Sequence, residues 1–254
     1  MERSPNEGGR FPTTIPQLVA RLTLGAGKKD PAAWEEFYAR YARPLVVFAA
    51  LDRRLPLADA EDLVQSFLAY LLEQPRIEGF DQELGRFRTY LLTLLKRFHK
   101  DERAKAHAQK RGAGRVQVGG LEERIDRYRS KDVPPDKAFA REWALGVVRD
   151  AVAACAQEMT SSSDEPAAGW FDARYAHLFD GGARPSRQDA IARLGLTEGK
   201  AQAVDKRVRA LLRDHLERHV RADLVRPEGD NAATRALVDE GLRELLEALA
   251  EGTA

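Results

Sequence analysis

Hydrophobic residues recur along this chain at helical spacing, and the breakers between the runs predict a succession of helices. Ile15 to Leu24 can form a short helix that Gly25-Ala26-Gly27 ends. Asp30-Pro31 supplies an N-cap and a first-turn proline for a helix carrying Trp34, Phe37, Tyr38, Tyr41, Leu45 and Phe48. After Pro56, Asp59 is positioned to cap a helix striped by Leu63, Phe67, Tyr70 and Leu71 as far as Pro75. The longest regular stretch runs from Leu84 to around His107. Phe87, Leu91, Leu94, Leu95 and Phe98 mark its buried face, and its basic residues fall largely on the other side.

Between Gly112 and Pro135 the periodicity dissolves into Gly-Ala-Gly, Gly-Gly and Pro-Pro breakers, which predicts a flexible connector. A second helical unit begins near Asp136, with Phe139, Trp143, Val147, Ala151, Cys155 and Met159 at near-heptad spacing, and breaks over Ser161 to Pro166. Trp170 to Phe179 follows as a short helix; then come Ser186 to Leu194, a Gly195-Leu196-Thr197 turn and a helix from Glu198 to Val220. A last helix, Ala232 to Ala250, carries Leu237, Val238, Leu242, Leu245, Leu246 and Leu249. Residues 1 to 10 read as a loose polar tail. The expected fold is all-α, with helical domains at 11–111 and 136–222, a linker at 112–135 and a C-terminal helical extension at 223–254.

Composition agrees with helix over sheet: 43% of the 254 residues are hydrophobic, only 7% aromatic, and 32% charged. The longest apolar run, Leu45 to Leu51, falls far short of the roughly 20 residues that span a bilayer, and the N-terminus lacks a basic start followed by an apolar stretch. A soluble, cytoplasmic protein without membrane association is expected. The single cysteine, Cys155, excludes an intrachain disulfide and a cysteine-built zinc site. Its place on an apolar stripe suits a buried, inert thiol.

The net charge of +1 conceals a segregation along the chain. Arg86 to Arg115 holds ten basic residues against two acidic, and Arg184 to Arg221 ten against five, whereas Ala222 to Ala254 holds three against eight. Two separated basic blocks suit a polyanion held at two places, since each cation set against a phosphate releases counterions. Solvated helix faces are the plainer alternative. Within the second block, Ala190-Ile191-Ala192, Leu194-Gly195-Leu196 and Thr197 pair a short amphipathic helix with a turn that glycine can make at positive φ and threonine can cap. That pattern fits a helix-turn-helix. It would set Glu198, Gly199, Lys200, Gln202 and Ala203, flanked by Lys206 and Arg207, against a DNA major groove. An ordinary helix hairpin with a glycine turn is the alternative.

The stretches DAEDLVQSFLAYLLEQ (Asp59 to Gln74) and GRFRTYLLTLLKRFHKDERAKAHAQKRG (Gly85 to Gly112) resemble region 2 of a bacterial RNA polymerase sigma factor of the extracytoplasmic-function type, group IV. The helix-turn-helix beyond the Gly/Pro linker sits where region 4 belongs. FPTTIPQLV (Phe11 to Val19) and the EWALGVV helix start resemble a planctomycete-type subgroup. This resemblance, over most of residues 11 to 222, implies a factor that binds core RNA polymerase through the β′ coiled coil and the β flap and recognises the −10 and −35 elements of promoter DNA. It also admits an anti-sigma protein as a partner. The polymerase contact would fall on Asp62, Gln65, Ser66, Leu68, Ala69 and Tyr70. Asp62 and Gln65 are expected to be exposed, whereas Leu63, Phe67 and Leu71 belong to the core. The −10 strand would meet Arg86, Arg88, Tyr90, Lys96, Arg97, His99, Lys100 and Arg103, which supply cations and π-faces of the type that single-strand capture needs. Region 4 would bring Arg187, Thr197, Glu198, Gly199, Lys200, Gln202, Ala203, Lys206 and Arg207 to the −35 element.

No enzyme signature stands against this. The sequence has no P-loop, no nucleophile elbow and no dinucleotide glycine pattern, so no catalytic residue and no cofactor are expected. His215 and His219 stand one helical turn apart without a third ligand at suitable spacing and read as phosphate-side or solvated residues. A stand-alone helix-turn-helix regulator and a helical interaction adaptor without nucleic acid remain the other classes. The acidic C-terminal helix carries an apolar stripe that must be covered; one expectation is that it docks on the second domain and screens the recognition helix, the other that it is a permanent brace.

Overall fold

In a computed structural model, the described residues are 15–23, 30–73, 77, 80, 87–106, 120–161, 165–175, 186–223 and 232–250. They form ten helices and no strand: α1 (Ile15–Thr23), α2 (Pro31–Asp52), α3 (Leu57–Glu73), α4 (Phe87–Ala106), α5 (Glu122–Ser130), α6 (Pro135–Ser161), α7 (Glu165–Tyr175), α8 (Arg187–Leu194), α9 (Glu198–Asp223) and α10 (Ala232–Ala250). The expected N-cap of α2 is present, with Asp30 Oδ1 accepting the Ala33 N–H at 3.1 Å. Asp30 also takes the Arg21 guanidinium at 2.8 Å, which ties α1 to the start of α2. Asp59 does not cap α3; the helix begins two residues earlier and Asp59 lies in its first turn, where a carboxylate still favours the helix dipole.

Two hydrophobic cores organise the chain. The first gathers α1 to α5, the N-terminal half of α6 and single residues from the two C-terminal helices, Val220 and Leu245. Aromatic rings dominate it: Phe37 lies 5.2 Å from Tyr41 and 6.2 Å from Phe87, and Phe67 lies 5.6 Å from Phe98. The second core is smaller and uses Val152 and Cys155 from the far half of α6, Trp170 and Phe171 of α7, Ala190 of α8, and Ala201, Val204 and Val208 of α9.

The expected connector over 112–135 requires correction where it is described. Residues 122–130 are helical, and Leu121, Ile125 and Tyr128 are buried in the first core. Periodicity gave no sign of this because only three apolar residues carry the face. The 27-residue α6 then continues unbroken from the first core into the second, so the two units share a helix. At its N-terminal half, Glu142 is 1% exposed and draws Arg43 of α2 (3.1 Å), Arg124 of α5 (3.1 Å) and the Tyr128 hydroxyl (2.7 Å) onto one carboxylate. A buried acid so paired holds three elements in register, because leaving any partner alone in the interior is costly.

The C-terminal helix α10 packs on α6 and α9. Val238 and Leu245 are buried, whereas Leu237 is 43% and Leu246 63% exposed, so its covered face is narrower than the leucine pattern implied. Gly241 permits the closest approach: a Cβ there would fall 2.4 Å from Val220 Cγ1 of α9.

Candidate nucleic-acid interface

The turn between α8 and α9 is built as its residues dictate. Ser186 Oγ accepts the Asp189 N–H at 3.0 Å and caps α8, Gly195 takes φ 60° to end it, and Thr197 Oγ1 accepts the Lys200 N–H at 3.4 Å. Ala201, Val204, Asp205 and Val208 turn inward, which leaves Glu198, Gly199, Lys200, Gln202, Ala203, Lys206 and Arg207 exposed on one side of α9, with Thr197 exposed before it. Arg187 departs from the expected role. Its guanidinium grips Glu198 at 2.9 Å, lies 3.7 Å from Asp205 and stacks 5.5 Å above the Trp170 ring. Asp205 in turn accepts the Trp170 indole N–H at 2.8 Å and pairs with Arg209 at 2.8 Å. Arg187 therefore braces α8 against α9 and α7. Glu198 is partly occupied by the same brace.

On α4, Lys96, Arg97 and Lys100 are exposed and His99 is half-buried. With Thr93 and Arg53 they line one shallow groove. The Lys96 ammonium is anchored 5.3 Å from the Phe48 ring, so its position is set while its charge stays in water. Arg53 was missed by sequence reasoning because it sits in the turn after α2, more than forty positions from Lys96. Arg88 and Tyr90 do not join this groove. The Tyr90 ring packs 5.5 Å from Phe80 against the first core. Arg88 lies 4.3 Å above Trp143 and pairs with Glu244 of α10 at 2.8 Å, its side chain only 13% exposed. Arg86 and the side chain of Arg103 lie outside the described residues.

The polymerase-facing set on α3 also divides. Asp62, Ser66 and Ala69 are exposed at spacings of four and three, a single stripe opposite the buried Val64, Phe67 and Leu71. Leu63 is only partly buried. Gln65 is half-buried and engaged, contrary to the expected free side chain. Leu68 packs on the first core, and the Tyr70 ring lies 5.1 Å from Phe98. Helical spacing could not separate these from their exposed neighbours, because eleven of the seventeen α3 residues are buried or half-buried, more than one apolar stripe accounts for.

Two further expectations change. His215 is buried and meets Glu158 at 3.0 Å, and His219 is half-buried, its pKa lowered to about 4 by burial and then by Arg40, His215 and Arg218, so neither is a solvated residue. The α10 acids do not cover the exposed start of α9. Asp239 lies near Arg213 and Glu244 on Arg88, while Lys200, Gln202, Lys206 and Arg207 stay exposed. Burial pushes the Cys155 thiol up to about 12, which leaves it protonated and unreactive at neutral pH. Among the described residues no group of three or more His, Cys, Asp or Glu side chains could hold a metal ion, and no helix is long and apolar enough to cross a membrane. Comparison with protein-family models, curated proteins and solved structures gives no match.

Proposed function

We propose that this chain is a transcription initiation factor of the extracytoplasmic-function sigma type, a non-catalytic cytoplasmic protein that binds core RNA polymerase and promoter DNA. The observation that carries the reading is the start of α9. Lys200, Gln202, Lys206 and Arg207 stand exposed beyond a capped glycine turn, and a rigid ion-paired brace behind them fixes the helix. Exposed cations on a preset helix suit phosphate contacts, and the small residues Gly199 and Ala203 let its backbone approach base edges. The groove of Arg53, Lys96, Arg97 and Lys100 supplies a second cationic surface on the other core, suited to the backbone of a single strand. Asp62, Ser66 and Ala69 then form the polymerase-facing stripe.

Run-off transcription with core RNA polymerase on a pool of genomic fragments tests the reading. Discrete transcripts that require this protein are expected. Duplex binding without polymerase-dependent transcripts would favour the stand-alone regulator instead, and no binding to either would overturn both. Under the proposed reading, Lys200→Ala or Gln202→Ala alters sequence preference, whereas Lys206→Ala or Arg207→Ala weakens binding evenly across sequences.

A further inference from the structure

Glu198 is an acid on a cationic face. Lys200, Lys206 and Arg207 are exposed along the same part of α9, and a carboxylate among them works against phosphate binding. Its two oxygens are used unequally. Both Arg187 donors, Nε at 3.0 Å and Nη2 at 2.9 Å, fall on the single oxygen Oε1. Oε2 accepts from no described residue, and the side chain is 72% exposed.

The carboxylate is also held and neutralised. The Arg187 guanidinium stacks 5.5 Å from the Trp170 ring and lies 3.7 Å from Asp205, so the group that grips Oε1 is itself fixed from two other sides. Arg209 pairs with Asp205 at 2.8 Å, which sets two guanidiniums against two carboxylates. Glu198 therefore reaches the exposed face without uncompensated charge. An acceptor preset in this way loses little freedom when a donor arrives. An acid in the first turn of a helix also favours its dipole, but that role needs no fixed orientation. Gly199 and Ala203 leave room beside the carboxylate, and Gln202 stands exposed one helical turn further on.

Resting on the function proposed above, we propose that Glu198 is a specificity-determining residue whose Oε2 accepts from the N4 amino group of a cytosine in the major groove of the −35 element. Cytosine fits because its major-groove edge presents a donor with no acceptor of the same base beside it. Adenine sets the acceptor N7 next to its amino group, guanine presents only acceptors there, and thymine an acceptor and a methyl group.

The full chain, alone and with core RNA polymerase, is used to enrich duplexes from a randomised pool, and the winners are measured singly. One position at which cytosine is favoured about ten-fold is expected. Glu198→Ala, an exposed change, should level that position, spare the others and tighten binding to duplexes without the cytosine, since one negative charge leaves the face. Glu198→Gln can still accept from Arg187 and should move the preference at that position toward adenine. A cytosine analogue without the 4-amino group should cost the unaltered chain about ten-fold and the Glu198→Ala variant nothing further. Tightening by Glu198→Ala that is even across all sequences, with base preferences unchanged, overturns the proposal and leaves the carboxylate as a brace alone. So does an equal loss with the analogue in both chains. Either result leaves the proposed function standing, because the chain still selects DNA; enrichment of no duplex under either condition removes both.

Discussion

The two cores present similar basic faces but support them by different means. Under α4 the support is aromatic: Phe67, Phe87 and Phe98 are buried, and even an exposed cation, Lys96, is seated on a ring. Under α9 it is ionic and hangs on one tryptophan, with Asp205 joining the Trp170 indole, Arg187 and Arg209. Ring packing involves no charge for salt to screen, whereas the ion pairs that Asp205 makes with Arg187 and Arg209 are open to screening. The α4 surface should therefore be the more robust of the two, and the position of α9 the more responsive to solution conditions.

The largest expected effect tests the aromatic side. Phe87→Ala, at a residue 1% exposed, should cost about 4 kcal/mol through lost burial and the cavity left behind, read as a fall in the urea midpoint. If α4 and α9 lose hydrogen-exchange protection together, the shared α6 couples the cores; if α9 is spared, they unfold separately.

Next comes pH. His219 titrates near its ordinary 6.5 in the unfolded chain and at about 4 in the folded one, with Arg40, His215, Arg218, Arg149 and Asp150 around it. Below pH 6.5 the unfolded chain takes up the proton first, so this residue's contribution is whole above 6.5 and is lost as pH falls toward 4. The loss should be roughly 3 kcal/mol. His219→Gln should flatten that part of the stability profile, and an unchanged slope would remove His219 as the cause.

Asp205→Asn addresses the ionic side. It keeps an acceptor for Trp170 but removes the charge shared by Arg187 and Arg209, and about 2 kcal/mol should be lost from α7 to α9. Local hydrogen exchange in α8 and α9 should rise while α4 stays protected. The smallest effect is expected for Lys206→Ala, an exposed position on which stability should change by less than about 0.5 kcal/mol. Its signature is a DNA-binding salt slope shallower by about 1.

Much of the local architecture is legible in the chain's own residues. Asp30-Pro31 announces the start of α2, and Gly195 and Thr197 announce the two ends of the α8–α9 turn, because caps and positive φ are decided within three or four residues. The roles of the cations are less legible. Nothing in the spacing of Arg88, Lys96 and Arg97 says that the first lies against Trp143 and Glu244, 55 and 156 positions onward, while the others face water.

By itself, then, the sequence determined most of the helical stretches, where most of those start and stop, and that basic residues concentrate in two blocks, since periodicity, capping and charge are local properties of the chain; α7 begins at Glu165, five residues before the expected Trp170. Only the tertiary structure decided that α5 occupies the expected connector, that α6 serves both cores, and that Arg187 and Arg88 are engaged by internal partners. It also brought Arg53 to the α4 groove. The reason is physical: whether a side chain faces water or a partner depends on which helix lies across from it, and that is settled by packing between segments far apart in the chain.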